Sequence, residues 1–199
     1  SQAKCQRRRA IPDSFEFGGD IVWEPTSDYI ERANLTRFMR QHGINDFGEL
    51  MCRSTEDVAW FTDAVLKFLD IQFYEPYSQV VDLSDGIQFP KWCVDARMNI
   101  AHNCVDKYQS SAISDQPSVV WEGEEGDTKT LTFSELNEQV NKVANALRLL
   151  GLGKGDAIGL FMPMTVEIVV AMLAVAKIGG IILPLFSGYG AGAVITRMV

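Results

Sequence analysis

From residue 117 onward, apolar and polar positions fall into a regular succession. The short β-rich runs SVVWEG and KTLTF flank the polar segment GEEGDT, and the spacing predicts a hairpin. Thr132 and Glu135 then form a capping box, in which the Thr132 hydroxyl takes the N3 amide and the Glu135 carboxylate returns to the cap amide. A helix starts there, with Leu136, Val140, Val143, Leu147 and Leu150 as its apolar stripe and Gly151 as the left-handed residue that ends it. AIGLFM follows as a nearly continuous apolar strand, then Pro163, a second helix led by Thr165, and IILPL as another apolar strand. Strands without alternation, separated by helices, indicate a parallel sheet covered on both faces. The expected fold class is therefore α/β.

The earlier half reads differently. STEDVAWFTDAVLKFLD opens with Ser54 as a helix cap and places Val58, Phe61, Val65, Phe68 and Leu69 on one face, which is expected to be core. TSDYIERANLTRFMRQ and ARMNIAHNCVDKY are weaker helical patterns, and QFYEPYSQVVDLSDGIQFPKW between them has the Pro, Gly and Asp of an irregular loop. The turn-rich SSAISDQP marks a boundary between Tyr108 and Pro117. The expected organisation is a basic tail over residues 1–20, a helical N-terminal extension over 21–112, and the first part of a larger α/β domain over 117–199. The chain starts at Ser1, not Met, and stops inside a helix-like pattern without Gly or Pro, which points to a piece of a longer polypeptide.

Composition narrows the classes of partner. Eighteen Lys and Arg against 26 Asp and Glu give a net charge of −8, a field that repels phosphate backbones and anionic lipid, so no nucleic-acid partner is expected. Residues 168–185 form an apolar run with one charge, long enough to invite a membrane-span reading. Gly179-Gly180 cuts the run, Lys177 precedes the cut and Pro184 follows it, so a helix plus a short strand is expected and no membrane span. The tail around Lys4, Arg7, Arg8 and Arg9 lacks the apolar core of a signal peptide. Four scattered cysteines, read as buried small hydrophobes, suit a reducing compartment, hence an intracellular address, cytoplasmic or in an organelle such as a peroxisome or mitochondrion.

Candidate chemistry is sparse. LGLGKGD leaves a helix and enters a strand, the reverse of a dinucleotide fingerprint, and Gly155 stands where a P-loop needs Ser or Thr, so it reads as a helix stop and turn. LFSGYGAGA does run from strand to helix, at the carboxyl end of a parallel strand where α/β sheets place ligands. There Gly188, Gly190 and Gly192 would let a ligand approach the backbone. Cys93, His102 and Cys104 match no compact zinc pattern, His42 reads as a helix-end residue, and Glu122, Glu124, Glu125 and Asp127 read as a solvated hairpin tip. No catalytic or metal-binding residue is assigned.

Several motifs together resemble the AMP-forming acyl-CoA synthetases of the adenylate-forming superfamily, especially the acetyl-CoA synthetase branch. They are Trp121-Glu122-Gly123, Leu131-Thr132-Phe133 with Glu135-Leu136, Gly155-Asp156, Pro163 with Glu167, and Ala174 through Gly179. Upstream, Trp23 with Pro25, Ala33-Asn34-Leu35, Ser54 with Asp57 and Trp60-Phe61, Pro90-Lys91-Trp92 and Asn99-Ile100-Ala101 look like that branch's N-terminal extension.

The resemblance implies a fold, the start of the large adenylate-forming domain, and an activity: carboxylate and ATP give acyl-adenylate and pyrophosphate, then the thiol of coenzyme A displaces AMP. It also implies ATP, coenzyme A and Mg2+ for the full-length enzyme, with a small carboxylic acid as substrate and the remainder of the same polypeptide as structural partner. The family's Ser/Thr/Gly-rich phosphate loop, its Tyr-x-x-Glu motif, its ribose-binding aspartate, its hinge and its late lysine have no counterpart in this sequence. The 199 residues alone are thus expected to be inactive and to hold none of these ligands tightly. The loop that the branch writes Phe-Gly-Gly-Phe, near the coenzyme A path, aligns with Phe186-Ser187-Gly188-Tyr189, so Phe186 and Gly188 carry the family's coenzyme A contact here. Ser187 replaces a glycine and Tyr189 adds a hydroxyl, departures that fit a different acyl preference or a different branch. The alternative reading is a non-catalytic regulatory or assembly module derived from the same fold.

Overall fold

The computed structural model describes residues 22–198, so the expected basic tail lies outside the described residues. Two compact units emerge, one comprising the chain up to Ile71 with Val80–Trp92, the other Gln72–Gln79 with the chain from Cys93 on.

In the first unit, α1 (Ser27–Arg32) and α2 (Asn34–Gln41) are separated by Ala33, whose extended backbone interrupts the expected single helix. The helices α3 (Phe47–Glu56) and α4 (Val58–Phe68) follow, each capped by an aspartate: Asp46 accepts from the Glu49 amide and Asp57 from the Trp60 amide. Ser54 is therefore not the cap expected from the sequence. It sits inside α3, where its hydroxyl donates to the Met51 carbonyl, and Asp57 starts the next helix instead. The stripe is corrected too. Val58 and Leu69 are exposed, while Phe38, Ile44, Leu50 and Ala64 form the core, flanked by Trp60, Phe61, Val65 and Phe68. Phe61 and Phe68 meet Phe38 edge-on at 6.0 and 5.3 Å, an arrangement aromatic quadrupoles favour.

The segment expected to be an irregular loop contains two strands, β1 (Gln79–Asp82) and β2 (Lys91–Val94), which pair as a two-stranded sheet. Their four-residue length and the intervening Pro, Gly and Asp hid them from periodicity.

In the second unit, α5 (Ile100–Cys104) leads through a 3-10 turn at Asp106–Tyr108 to β3 (Pro117–Glu122) and β4 (Thr128–Thr132), the expected antiparallel hairpin. The capping box is formed in both directions: Glu135 N–H donates to Thr132 Oγ1 at 3.1 Å, and Thr132 N–H to Glu135 Oε2 at 2.9 Å. It opens α6 (Phe133–Leu149), which buries Leu136, Val140 and Ala144. Leu150, read as part of the stripe, is the C-cap and is 77% exposed. Beyond α6 come β5 (Ala157–Phe161), α7 (Val166–Lys177), β6 (Ile181–Leu185) and α8 (Ala191–Met198).

Strands β5 and β6 are parallel and in register, from Ala157 opposite Ile181 to Phe161 opposite Leu185. The apolar run at 168–185 is indeed split: α7 stops at Lys177, Gly179 takes φ +79°, and β6 follows. Among the described residues no helix is long and apolar enough to cross a membrane.

Val105, Leu131, Leu136, Val140, Ala144, Val166, Val170, Leu173, Ala174 and Ile178 make the core of this unit. The carboxyl end of α7 is clasped by the segment before the hairpin. Asn99 Nδ2 donates to the Ala176 and Lys177 carbonyls at 2.9 and 3.2 Å, and Lys177 Nζ meets the half-buried Asp106 at 2.6 Å. These bonds satisfy carbonyls that a helix end otherwise leaves without partners. The described cysteines do not serve as buried hydrophobes: Cys52 and Cys93 are only half-buried and Cys104 is exposed. The thiol argument for a reducing compartment therefore falls away.

Candidate functional site

Because β5 and β6 run parallel and in register, the connections leaving their carboxyl ends start side by side: Met162–Thr165 after Phe161, and Phe186–Gly190 after Leu185. In an open parallel sheet this is where a ligand meets backbone and loop side chains together.

The first connection is braced by the hairpin. Trp121 Nε1–H donates to the Met164 carbonyl at 2.8 Å, and Lys129 Nζ reaches Glu167 Oε1 at 2.5 Å. The Lys129 ammonium, aided by the Thr165 hydroxyl and the backbone, holds the Glu167 carboxyl down at about 2. Glu167 is thus a carboxylate throughout the physiological range and a fastening, not a proton donor.

The second connection carries both residues singled out from the sequence, and the structure brings them into contact. Phe186 follows β6 directly, with its ring 66% exposed. The Tyr189 N–H donates to the Phe186 carbonyl at 2.9 Å and closes a turn through Ser187 and Gly188. The Phe186 ring folds back over Gly188, so that a Cβ on Gly188 would lie 2.6 Å from Phe186 Cε1 and 3.0 Å from Cζ. Since the φ of Gly188 lies outside the left-handed region, what the glycine provides is space for the ring and not backbone freedom. This refines the sequence argument. At Gly188 the close neighbour is the protein's own ring, whereas a Cβ on Gly190 or Gly192 would meet nothing within 4 Å.

Sequence reasoning missed one partner of this loop. The guanidinium carbon of Arg197, in the last turn of α8, lies 4.4 Å from the centroid of the Tyr189 ring. Tyr189 in turn meets Phe186 edge-on, centroids 5.6 Å apart at 82°. No local motif announces a stack between residues eight apart, one of them in a loop.

LGLGKGD is the α6–β5 turn, with Gly151 at φ +84° and Gly155 at φ +91°, and its Gly153 N–H is taken by the Asp156 carboxylate at 2.7 Å. Among the described residues no group of three or more His, Cys, Asp or Glu could hold a metal ion. His102 Nε2 lies 3.0 Å from the Gln72 side-chain oxygen and Asn103 bonds the Gln72 backbone, which are structural contacts. The loop presents an exposed aromatic ring and unobstructed backbone at Gly190 and Gly192.

Comparison with known proteins gives consistent results along the chain. Residues 47–104 match the family described as acetyl-coenzyme A synthetase N-terminus, and residues 107–198 match the AMP-binding enzyme family. Acetyl-coenzyme A synthetase of Mycolicibacterium smegmatis is 37% identical over 178 residues, covering 89% of this chain and 17% of that protein. The enzyme of the same name from Streptomyces avermitilis is 43% identical over 174 residues, covering 87% of this chain and 24% of that protein. Among solved structures, acetoacetyl-CoA synthetase from Streptomyces lividans superimposes with a TM-score of 0.77 at 28% identity, covering 88% of this chain and 28% of that one. The chain thus spans about a quarter or less of the length of the curated relatives it matches. Two family matches in tandem and collinear relatives over most of its length agree with the hairpin, helix and parallel-strand order: the chain is similar to the N-terminal part of acetyl-coenzyme A synthetases, with its later half matching the AMP-binding enzymes.

Proposed function

We propose that the chain is the opening part of an ATP-dependent, AMP-forming acetyl- or short-chain acyl-CoA synthetase. A small carboxylate attacks the α-phosphorus of ATP, releasing pyrophosphate and forming the acyl-adenylate. The thiol of coenzyme A then gives up its proton and attacks the acyl carbon, and the bond to AMP breaks. The observation that carries this reading is the collinear likeness to acetyl-coenzyme A synthetases across both family regions.

On this reading residues 21–112 are the N-terminal extension and residues 117–199 the first part of the nucleotide domain. Phe186 and Gly188 take the coenzyme A side: the exposed ring offers an apolar face, and Gly188 leaves room for that ring above the turn. ATP and magnesium are met by polypeptide beyond these residues, and the remainder of the protein is the chain's structural partner.

The test uses the complete protein that carries this chain. Acetate-dependent exchange of label between ATP and pyrophosphate is expected, followed by thioester formation when coenzyme A is added, while residues 1–199 alone give no exchange. A complete protein that supports no exchange with acetate, propionate or butyrate overturns the reading, and exchange by residues 1–199 alone overturns the placement of the phosphate machinery elsewhere.

A further inference from the structure

The orientation of the Phe186 ring is set by a relay of contacts that ends on a cation. Arg197 Nη1–H donates to the Ala193 carbonyl at 2.9 Å, which fixes the long side chain along α8. Its guanidinium lies against the Tyr189 face, Tyr189 presents itself edge-on to Phe186, and Phe186 covers Gly188. A cation over a ring face restricts the ring, and the edge-to-face contact passes that restriction to the next ring. Phe186 is 66% exposed, so the contact with Tyr189 is a main constraint on where its ring lies.

We propose that Arg197 is a positioning residue for coenzyme A use, acting through Tyr189 to hold the Phe186 ring at the thiol-substrate path. The proposal rests on the synthetase reading above. A basic residue in the last turn of a helix also interacts with the helix dipole, independently of Tyr189. The two roles separate because only the first requires the Tyr189 ring.

The experiment is a double-mutant cycle in the complete protein with Arg197→Ala and Tyr189→Leu. An exposed cation–π contact of ~0.5–1 kcal/mol corresponds to about a 2- to 5-fold change. Arg197→Ala is therefore expected to raise KM for coenzyme A, and its Kd by calorimetry, about 2- to 5-fold. Acetate-dependent pyrophosphate exchange should stay at its wild-type value. In the Tyr189→Leu background, Arg197→Ala should add nothing further. Chymotryptic cleavage after Phe186 should rise in Arg197→Ala by a similar factor.

Wild-type KM and Kd in Arg197→Ala overturn the proposal, as do equal losses in both half-reactions or effects that multiply in the double variant. If the wild-type protein makes no acyl-CoA, the synthetase reading fails. The cleavage rate then decides on its own whether Arg197 positions Phe186.

Discussion

Replacing Gly188 by Ala tests the loop most directly. The new methyl would lie 2.6, 3.0 and 3.3 Å from three atoms of the Phe186 ring, against the 3.5–4.0 Å at which carbon atoms pack without repulsion. The ring must therefore retreat by about 1 Å. Retreat is sterically open, since Phe186 is 66% exposed, so folding should be little affected: the expected Tm lies within a degree or two of wild type. Retreat weakens the edge-to-face contact with Tyr189, whose full loss is of order 0.5–1.5 kcal/mol, so on the synthetase reading KM for coenzyme A should rise, by at most about 12-fold.

The assay is steady-state thioester formation with coenzyme A varied, alongside acetate-dependent pyrophosphate exchange in its absence. In Phe186→Ala the obstructed ring is gone, so adding Gly188→Ala there should change nothing more. A wild-type KM for coenzyme A in Gly188→Ala would refute the reasoning, as would equal losses in both half-reactions.

Four further outcomes are expected. Thr132→Ala removes one half of the capping box and should lower stability by about 1 kcal/mol, read as a lower urea midpoint with an unchanged m-value. Lys177→Met leaves the half-buried Asp106 without its cation and should destabilise at pH 7, whereas Lys177→Arg should retain most of the stability in the same urea titration. Glu167, with its carboxyl lowered from 4.5 to about 2, contributes stability that is fully present above 4.5 and lost as pH falls toward 2. Glu167→Gln should therefore lower the urea midpoint at pH 7 and leave it nearly unchanged at pH 2. Alkylation by iodoacetamide at neutral pH, followed by mass spectrometry, should label the exposed Cys104 before Cys93, whose thiol burial pushes up.

The later half of the chain was legible because its signals are local and strong. A capping box needs two side chains three apart, a hairpin needs a polar turn between β-rich runs, and buried parallel strands advertise themselves as apolar runs between helices. The earlier half offered competing signals. Ser54 and Asp57 are both acceptable caps, and only the structure shows that α3 runs on past Ser54 to Glu56. Strands β1 and β2 are four residues each, too short for a period of two to stand out. At the candidate site the sequence marked Phe186 and Gly188, but it could not show that one ring fills the space above the other residue. It could not show Arg197 either, since a stack across eight residues depends on how α8 turns back toward its own entry loop.

The clasp on α7 bears on how this chain can be recombined with its relatives. Sequence families divide the chain between residues 104 and 107, yet Asn99 reaches across that line to the Ala176 and Lys177 carbonyls. A chimera joined at the family border would pair a donor's Asn99 with a foreign helix end. Crossovers placed upstream of the clasp, and not at the seam between profiles, should therefore yield hybrids that still mature.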